Sequence, residues 1–421
     1  MNKEFHKKQN FFSFSDIDSE RKDRIMKFTS TEATPAPHVP PGVLRLTGAA
    51  KEDIPMYRIQ TMNKISPVGL NRFPSELYEV GDAVQDPQGI LVRSAKLLDL
   101  EFNPSLLAIA RAGVGVNNIP LDRCAAAGIP VFSTPGANAN AVKELVICAM
   151  LMGSRDIPGA IRWVREQAAS GVDVSTVVEK GKSAFIGPEL YKKTLGIIGL
   201  GAIGSIVANT AISLGMDVYG YDPFLSVDTA LRLDRHVHVV KDINDLYKRS
   251  DYITMHIHYT EKTAHMIDAD AIAAMKRGVR VINLARGEIV DDEAMLTALD
   301  TGMVAAYITD FPNNRLLTAP HVIAMPHLGA STPESEQNCA AMAVDTLRDY
   351  LESGNIRSSV NLPEMTMDRS GVQRLCVLHK NVPGMLANIT SLFGRDGVNV
   401  ENLSNKSRGD YAYTMVDLGS K

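Results

Sequence analysis

The feature that most constrains the fold of this chain is a glycine-rich turn between an apolar run and a helical stretch. The run TLGII at residues 194–198 is followed by Gly199, Gly201 and Gly204 in a G-x-G-x-x-G pattern, and SIVANTAISLG comes next. Glycines at these places permit a tight turn, a close approach of a pyrophosphate to the backbone, and close packing of helix against strand. The pattern therefore predicts a dinucleotide site at the helix N-terminus. A tight turn that binds no ligand is the alternative.

A carboxylate stands where such a site needs one. The next apolar run, MDVYGYD, ends at Asp222, about 20 residues beyond the glycines. A carboxylate there accepts hydrogen bonds from the adenosine ribose and repels a 2′-phosphate. The position therefore favours NAD over NADP.

Short apolar runs alternate with helical stretches over most of the chain. This alternation predicts an α/β fold with two Rossmann-like, doubly wound parallel-sheet domains in series, followed by a small α+β domain. The runs expected to be strands are YRIQTM, GILVRS, LLAIARAG, IPVFST, TLGII, MDVYGYD, DYITMHIH, VRVINLARG, VAAYITDF and HVIAMPH.

Composition excludes several function classes. The chain has 44 basic and 48 acidic residues and a net charge of -4, without an evident basic face, so we expect no nucleic-acid partner. Its four cysteines are far apart, which fits a reducing, cytoplasmic location. The most apolar long stretch, residues 195–216, carries five glycines and favours strand, turn and helix over a membrane span.

The two ends of the chain differ from its middle. Residues 1–55 are rich in charges of both signs and then in prolines, which predicts a disordered extension and linker. Residues 353–372 are also expected to be a linker. Residues 373–421 then suggest the order strand, helix, strand, strand.

Two polar residues follow apolar runs downstream of the glycine turn. Arg286 lies in NLARGEIVD and His327 lies in MPHLGAST. Hydride transfer to a 2-keto acid needs a cation for the carboxylate and keto oxygen, and a proton donor that titrates near neutrality. A surface salt bridge and a structural core histidine are the alternatives. Both residue types after strands in such a sheet favour the catalytic interpretation.

Three segments, LGIIGLGAIGSIVA, INLARGEIVDDEAM and PHLGASTPESEQNCA, resemble the D-2-hydroxyacid dehydrogenase family. The resemblance runs from about residue 57 to residue 421. It implies a discontinuous substrate-binding domain (56–155 and 328–352) and an NAD-binding domain (156–327). The implied reaction is oxidation of D-3-phosphoglycerate to 3-phosphohydroxypyruvate with NAD, the first step of L-serine biosynthesis, in a homodimer or homotetramer.

The resemblance also assigns residues to roles. Arg286 would anchor and polarise the substrate, and His327 would be the acid/base. The cofactor would be held by Gly199, Gly201, Ala202, Ile203, Gly204, Asp222, His256, Ala285, Asp310 and Gly329. The substrate would be held by Arg93 and Ser94, which match the loop for the distal phosphate, and by Val114, Gly115 and Asn138.

One position departs from the family pattern. Where the family usually has a Glu as partner of the catalytic His, in D-x-F-x-x-E, this chain has Asn314. An amide can orient an imidazole but cannot favour its charged form as a carboxylate does. We therefore expect an active enzyme in which keto-acid reduction weakens at a lower pH than usual, a hypothesis that an unchanged pH–rate profile in Asn314→Glu would contradict. Loss of turnover is the harsher alternative.

The C-terminal residues 373–421 resemble an ACT domain, a small amino-acid-sensing module. By resemblance, His379, Asn381 and Asn399 would bind an L-serine effector. A packing or dimerisation module without a ligand is the alternative. The chain ends after the third strand of the pattern, so we expect a truncated domain with impaired sensing.

No metal is expected. The pairs His236 with His238 and His256 with His258 each put two rings on one strand face, but no carboxylate or cysteine nearby completes either set. Two alternatives to oxidation of D-3-phosphoglycerate stay open. One is a dehydrogenase for a smaller 2-hydroxy acid, such as glycerate or glyoxylate, and the other is an NAD-binding relative without turnover. No membrane association is expected.

Overall fold

The computed structural model describes residues 56–371 and 373–419, together with the backbone of two strands at Asn10–Phe11 and Leu44–Gly48. The chain divides into two compact units. Unit 1 comprises Met1–Ala137 and Glu336–Lys421, and unit 2 is Asn138–Ser335. Each unit contains a parallel sheet with helices, and unit 1 also contains a small antiparallel sheet, so the expected fold class is confirmed.

Unit 2 is built on a seven-stranded parallel sheet with the strand order β10-β9-β8-β11-β12-β13-β14. Its central strands are apolar because helices cover both faces of a doubly wound sheet. The strands are β8 (Thr194–Ile198), β9 (Asp217–Tyr221), β10 (Val237–Val240), β11 (Tyr252–Met255), β12 (Val279–Asn283), β13 (Val304–Thr309) and β14 (Val322–Ala324).

Two buried clusters lie on the sheet of unit 2, and helices contribute to both. The helices are α3 (Ala139–Arg155), α4 (Ile157–Ala169), α5 (Val174–Gly181), α6 (Ala202–Ser213), α7 (Val227–Ala230), α8 (Ile243–Tyr247), α9 (Ala269–Ala273) and α10 (Asp292–Asp300). Short 3-10 turns lie at Lys182–Phe185, Gly287–Ile289 and Leu316–Thr318.

The first boundary between the units lies earlier than the sequence suggests. Helix α3 was expected in the substrate-binding domain, but it belongs to unit 2. Its apolar face, with Val142, Val146 and Met150, packs in one cluster with Leu195 and Val207. Helical periodicity shows that α3 has a buried face but not which sheet receives that face.

Unit 1 contains a five-stranded parallel sheet with the order β4-β3-β5-β6-β7. Its strands are β3 (Tyr57–Met62), β4 (Tyr78–Gly81), β5 (Gly89–Val92), β6 (Ala108–Arg111) and β7 (Val131–Phe132). Its helices are α1 (Pro67–Leu70), α2 (Leu121–Ala126) and the long α11 (Pro333–Ser353), of which residues from 336 belong to this unit.

The C-terminal module is an antiparallel sheet with one helix. It consists of β15 (Gln373–Lys380), α12 (Met385–Arg395), β16 (Val400–Arg408) and β17 (Tyr411–Leu418), in the expected order strand, helix, strand, strand. Strand β17 pairs with both β15 and β16. On one face, Leu375, Val377 and Val416 pack with Ile389 of the helix. The helix therefore covers one side of the sheet.

The other face of this sheet packs into the core of unit 1. Cys376, Leu378 and Met415 lie in the same buried cluster as Leu347 of α11 and Phe132 of β7. The module is therefore an integral part of unit 1.

The segment expected to be a linker, residues 353–372, is largely ordered and partly buried. Ile356 and Met365 are 1% exposed and exchange two backbone hydrogen bonds. Asn361 accepts a hydrogen bond from the N–H of Val131 and donates to the carbonyl of Ile129. Its composition is typical of a linker, but its apolar residues fill the space between the module and the parallel sheet.

The N-terminal extension contributes backbone to the small sheet. Strand β2 (Leu44–Gly48) pairs antiparallel with β15, and β1 (Asn10–Phe11) pairs with β2, which gives the order β1-β2-β15-β17-β16. At these two strands the chain differs from the expected disordered extension. The rest of that expectation falls on residues outside the described ones. Within the described ranges, no helix is both long and apolar enough to cross a membrane.

Candidate active site

The glycine turn of unit 2 has the geometry that its sequence predicts. Gly199 has a φ of +90°, and a Cβ there would lie 2.5 Å from the carbonyl oxygen of His256. A Cβ on Gly204 would lie 1.9 Å from the carbonyl oxygen of Gly199. These two glycines are therefore required by the protein's own packing.

Gly201 differs from its two neighbours in the motif. A Cβ added to it would meet no atom within 4 Å. It is the N-cap of α6, where no side chain caps the free N–H groups, and Ala202 and Ile203 form the first turn. The open space beside uncapped N–H groups fits a phosphate that approaches the backbone. The residues present thus fit a dinucleotide pyrophosphate.

Asp222 lies at the end of β9, next to the glycine turn. Its two carboxylate oxygens accept hydrogen bonds from the N–H groups of Leu200 (2.9 Å) and Phe224 (2.8 Å). These bonds fix its orientation and leave each oxygen a further lone pair for a ribose hydroxyl. The expected ribose partner is therefore held beside the turn.

His256 follows β11 and contacts the same turn through its backbone. Its N–H donates to the carbonyl of Ile198 (2.7 Å), and its ring lies within hydrogen-bonding distance of the Thr254 hydroxyl. Burial lowers the pKa of His256 to about 4. Its ring is therefore neutral near pH 7 and can line a cofactor site without adding charge.

Arg286 stands in a loop that a buried asparagine shapes. Asn283, at the end of β12, accepts from the N–H of Ala285 (3.1 Å) and donates to the carbonyl of Arg286 (2.8 Å). The guanidinium of Arg286 donates to the carbonyl of Ala285 and lies 5.8 Å from the centre of the Phe311 ring. The charge is thus held at the carboxyl edge of the sheet, where ligands of such folds bind.

His327 follows β14 and lies against the same aromatic ring. The centres of the His327 and Phe311 rings are 4.6 Å apart. Asp310, which precedes Phe311, accepts a hydrogen bond from the N–H of Gly329 (3.2 Å). The structure thus brings together Arg286, His327 and Asp310, three of the residues that the sequence selects, around Phe311.

Asn314 lies in the loop after β13, and its side chain is exposed. The neighbouring Asn313 donates to the carboxylate of Asp292 (2.7 Å), and Arg315 forms an ion pair with Glu293. The hypothesis about Asn314 and the pH profile stays a prediction.

In unit 1, Arg93 and Ser94 lie in a loop after β5 that several polar groups hold. Asn63 accepts from the N–H of Ser94 (3.2 Å) and of Ala95 (2.6 Å). Arg111 donates to the carbonyl of Arg93 (3.0 Å). The guanidinium of Arg93 donates to the carboxylate of Glu336 at 2.6 Å. The loop is therefore held through its backbone, and its cation has an anionic partner.

The other expected substrate residues lie in two further loops. Val114 and Gly115 are half-buried and follow β6 in unit 1. Asn138 is the N-cap residue of α3 in unit 2. Its side-chain oxygen is buried and has no hydrogen-bond partner among the described residues. An oxygen of this kind can accept a hydrogen bond from a ligand.

The residues proposed for an effector have different environments. The ring of His379 is 9% exposed; its Nδ1 donates to the carbonyl of Lys380 (2.8 Å), and its Nε2 lies 2.9 Å from the Thr414 hydroxyl. Asn381 and Asn399 are exposed. Both ring nitrogens of His379 are thus engaged within the module.

Residues of these sites that were not selected from the sequence include Asn283, Phe311, Asn63, Arg111 and Glu336. Asn283 carried a signal, because a polar residue at the end of an apolar strand is unusual. Phe311 is adjacent to a selected residue. The role of Glu336 depends on a contact far along the chain, which no local pattern indicates.

A model of the D-isomer specific 2-hydroxyacid dehydrogenase family, covering its NAD binding domain, matches residues 147–329. The D-3-phosphoglycerate dehydrogenase of Synechocystis is 36% identical over 326 residues, 75% of this chain and 56% of that protein. The chain therefore spans little more than half the length of this relative.

Two further proteins are similar to this chain over most of their own length. The D-3-phosphoglycerate dehydrogenase of Escherichia coli is 32% identical over 354 residues, 81% of this chain and 82% of that protein. The crystal structure of NAD+-bound 3-phosphoglycerate dehydrogenase from Entamoeba histolytica superposes with a TM-score of 0.57 at 26% identity, covering 73% of this chain and 99% of that chain.

Proposed function

The chain belongs to the D-isomer specific 2-hydroxyacid dehydrogenase family, and from this premise we propose that it oxidises D-3-phosphoglycerate to 3-phosphohydroxypyruvate with NAD. This is the first step of L-serine biosynthesis. The observation that carries the proposal is the arrangement of Arg286 and His327 around the ring of Phe311 at the carboxyl edge of the NAD-binding sheet.

Arg286 binds the substrate carboxylate and polarises the oxygen at C2. Its guanidinium is a planar, permanently charged group with donors that match a carboxylate. The loop that Asn283 shapes and the face of Phe311 hold the guanidinium in place. This preorganisation reduces the cost of orienting the cation when the substrate binds.

His327 moves the proton. During oxidation its neutral ring takes the proton of the C2 hydroxyl, and during reduction the charged ring returns that proton to the keto oxygen. When bound, NAD supplies the acceptor for the hydride that leaves C2. Gly201, Ala202 and Ile203 would hold its pyrophosphate, Asp222 its ribose, and His256, Ala285, Asp310 and Gly329 would line the rest of its site.

The distal phosphate selects the substrate. Arg93 and Ser94 contribute a cation and a hydroxyl from a loop that Asn63 and Arg111 support. Val114, Gly115 and Asn138 contact the rest of the substrate. Preference for a phosphorylated hydroxy acid is therefore expected to depend on Arg93.

The test is NADH oxidation by the purified protein with 3-phosphohydroxypyruvate, glyoxylate and hydroxypyruvate. We expect a strong preference for the phosphorylated substrate, which Arg93→Ala should reduce by about tenfold or more, as loss of a charge-assisted contact does. Arg72→Ala is the matched control, because Arg72 also pairs with a carboxylate of α11 on the surface of unit 1. A preference for glyoxylate would contradict D-3-phosphoglycerate as the substrate. Binding of NADH without turnover of any keto acid would contradict the proposal that the protein is an enzyme.

The protein is further proposed to be a cytoplasmic homodimer or homotetramer. Helices α4 and α5 have no buried residue, and their exposed apolar side chains include Ile161, Val164 and Val178. An apolar face of this kind is typical of an interface with another chain. The four cysteines of the sequence are free thiols, which supports a reducing compartment.

L-Serine is proposed as an effector of the C-terminal module. Asn381 and Asn399 are exposed, although their amides donate to the carbonyl of Gly409 and the carboxylate of Glu401. The module packs into the core of the unit that carries Arg93, which supports a link between effector and activity. Titration calorimetry with serine tests the proposal, which requires both binding and a change in activity. If serine neither binds nor changes the activity, the proposal fails and the module is a packing element.

A further inference from the structure

Asp310 is a buried carboxylate beside the catalytic histidine. Its side chain is 1% exposed. Its Oδ2 accepts a hydrogen bond from the N–H of Gly329, two residues beyond His327. The next residue, Phe311, places its ring against the ring of His327. Two consecutive residues after β13 therefore contact the His327 loop, Asp310 through the N–H of Gly329 and Phe311 through the ring of His327.

The second oxygen of Asp310 is also removed from solvent. Its Oδ1 is buried and has no hydrogen-bond partner among the described residues. A buried anionic oxygen without a partner is costly unless a cation compensates its charge. The charge of the His327 imidazole acts on this carboxylate and opposes the cost of its burial, so His327 can supply that cation. A charged His327 and an ionised Asp310 thus stabilise each other.

The charged and titratable groups around Asp310 and His327 decide how these two side chains titrate. Burial raises the pKa of Asp310, while the imidazole of His327 and the N–H groups of Gly329 and Leu328 oppose that rise. On β13, Tyr307 lies close enough to feel the charge of Asp310, but burial raises its pKa to about 12, so it stays neutral. The guanidinium of Arg286 lies over Phe311. The carboxylate of Asp292 also acts on Tyr307, and Asn313 donates to it, so the described anions around this pair are Asp310 and Asp292.

We propose that Asp310 is the positioning residue and charge partner of His327, in the place that a carboxylate at position 314 would otherwise take. This inference rests on the proposed function, because it concerns the proton that His327 transfers. Asp310 acts through His327 and touches no reacting atom in this proposal. The chain therefore keeps one carboxylate for its histidine despite Asn314.

The loop after β13 supports the assignment. Asn314 is exposed, and the acidic residues near it are engaged elsewhere, since Asp292 accepts from Asn313 and Glu293 pairs with Arg315. Asp310 directly precedes Phe311 and accepts a hydrogen bond from the N–H of Gly329 in the His327 loop.

The consequence is a pH dependence with a definite sign. A carboxylate beside an imidazole favours the charged form of the ring. Reduction of the keto acid needs that charged form, and oxidation of the hydroxy acid needs the neutral form. Without the carboxylate, the rate of reduction should fall away at a lower pH, and oxidation should persist to a lower pH.

The test is the pH profile of kcat/KM for reduction, from pH 5 to 10, in the full-length protein and in Asp310→Asn. An asparagine oxygen can still accept from Gly329, so the loop is kept and only the charge is lost. We expect the midpoint of the alkaline limb to move down by about one pH unit or more, the usual effect of one close opposite charge. Asp292→Asn removes a nearby half-buried carboxylate and is the matched control, with an unmoved midpoint.

Asp310 is also proposed to line the cofactor site, and the competing explanation is that contact with the nicotinamide ring is its whole role. It predicts weaker NADH binding, measured by fluorescence titration, with an unmoved pH midpoint, and that result would overturn the proposal. Asp310→Ser, which is smaller and neutral, is the second variant in case Asp310→Asn does not fold. Turnover of the unaltered protein tests the proposed function separately, so the two ideas can fail independently.

Discussion

The guanidinium of Arg93 donates a hydrogen bond of 2.6 Å to the carboxylate of Glu336, and the two side chains remain 41% and 43% exposed. The expected phosphate-binding cation therefore already has an anionic partner from α11. Exposed ion pairs contribute only about 0–1 kcal/mol. A phosphate dianion can thus displace Glu336, but at a small cost in affinity.

Removing the competing carboxylate should strengthen substrate binding. In Glu336→Gln, we expect the KM for 3-phosphohydroxypyruvate to fall by about two- to fivefold, the equivalent of up to about 1 kcal/mol. The KM for glyoxylate, which has no phosphate, should not change. Asp345 lies on the same helix as Glu336 and pairs with Arg72, so Asp345→Asn serves as the control. An equal effect of the two variants, or an effect on glyoxylate, would show that Glu336 does not compete with the phosphate.

The glycines of the turn should respond differently to a methyl group. Gly201→Ala meets no protein atom, so we expect unchanged stability but NADH binding weakened by about tenfold, or about 1.4 kcal/mol. Gly204→Ala places a Cβ against the carbonyl of Gly199 and should cost about 1–3 kcal/mol of stability. Urea unfolding and fluorescence titration separate the two effects. Normal NADH binding by Gly201→Ala would exclude a close approach of the pyrophosphate there.

A buried ion pair should control the stability of the C-terminal module. Arg374 and Asp417, 1% and 0% exposed, form two hydrogen bonds of 2.6 and 2.8 Å. Asp417→Asn removes the carboxylate that pairs with this buried cation and should lower the free energy of unfolding by about 3–5 kcal/mol. Replacing both residues, as in Arg374→Met with Asp417→Leu, should cost less. A single variant as stable as the parent in urea would rule out this role.

The same pair predicts acid sensitivity. Although burial acts to raise it, the hydrogen bonds from Arg374 and Ser370 hold the pKa of Asp417 below its ordinary value. A carboxyl with a lowered folded-state pKa stabilises the protein above its unfolded pKa of about 3.9, and that stability is lost as the pH falls through the lower, folded-state value. Unfolding measured from pH 7 to pH 2 should show this loss, and Asp417→Asn should show less of it.

The apolar face of α4 and α5 should hold the oligomer together. Ile161 and Val164 are 51% and 38% exposed. The double variant Ile161→Glu with Val164→Glu places charges on this apolar face and should dissociate the oligomer. Analytical ultracentrifugation measures the oligomeric state of the variant and of the parent protein. Leu231→Glu, at an 80% exposed position elsewhere on unit 2, is the control and should not change it. An intact oligomer in the double variant would place the interface elsewhere.

Much of the fold could be predicted from local patterns. The runs before Gly199, Asp222 and Arg286 became parallel strands because apolar residues with β-branched side chains favour buried strands. The boundary at α3 could not be predicted, because an amphipathic helix can pack on either neighbouring sheet. The same holds for residues 353–372, whose apolar side chains are few and find their partners only in the folded unit.

The sequence by itself determined which residues could do the chemistry, because a glycine turn, an acid after the next strand, and Arg286 and His327 after apolar runs are local patterns tied to backbone geometry. Only the tertiary structure decided which groups face each other. It put Asp310 beside His327, Glu336 on Arg93 and Asp417 on Arg374. These pairings join residues from different elements, and their energies depend on burial and distance, which no local pattern of residues specifies.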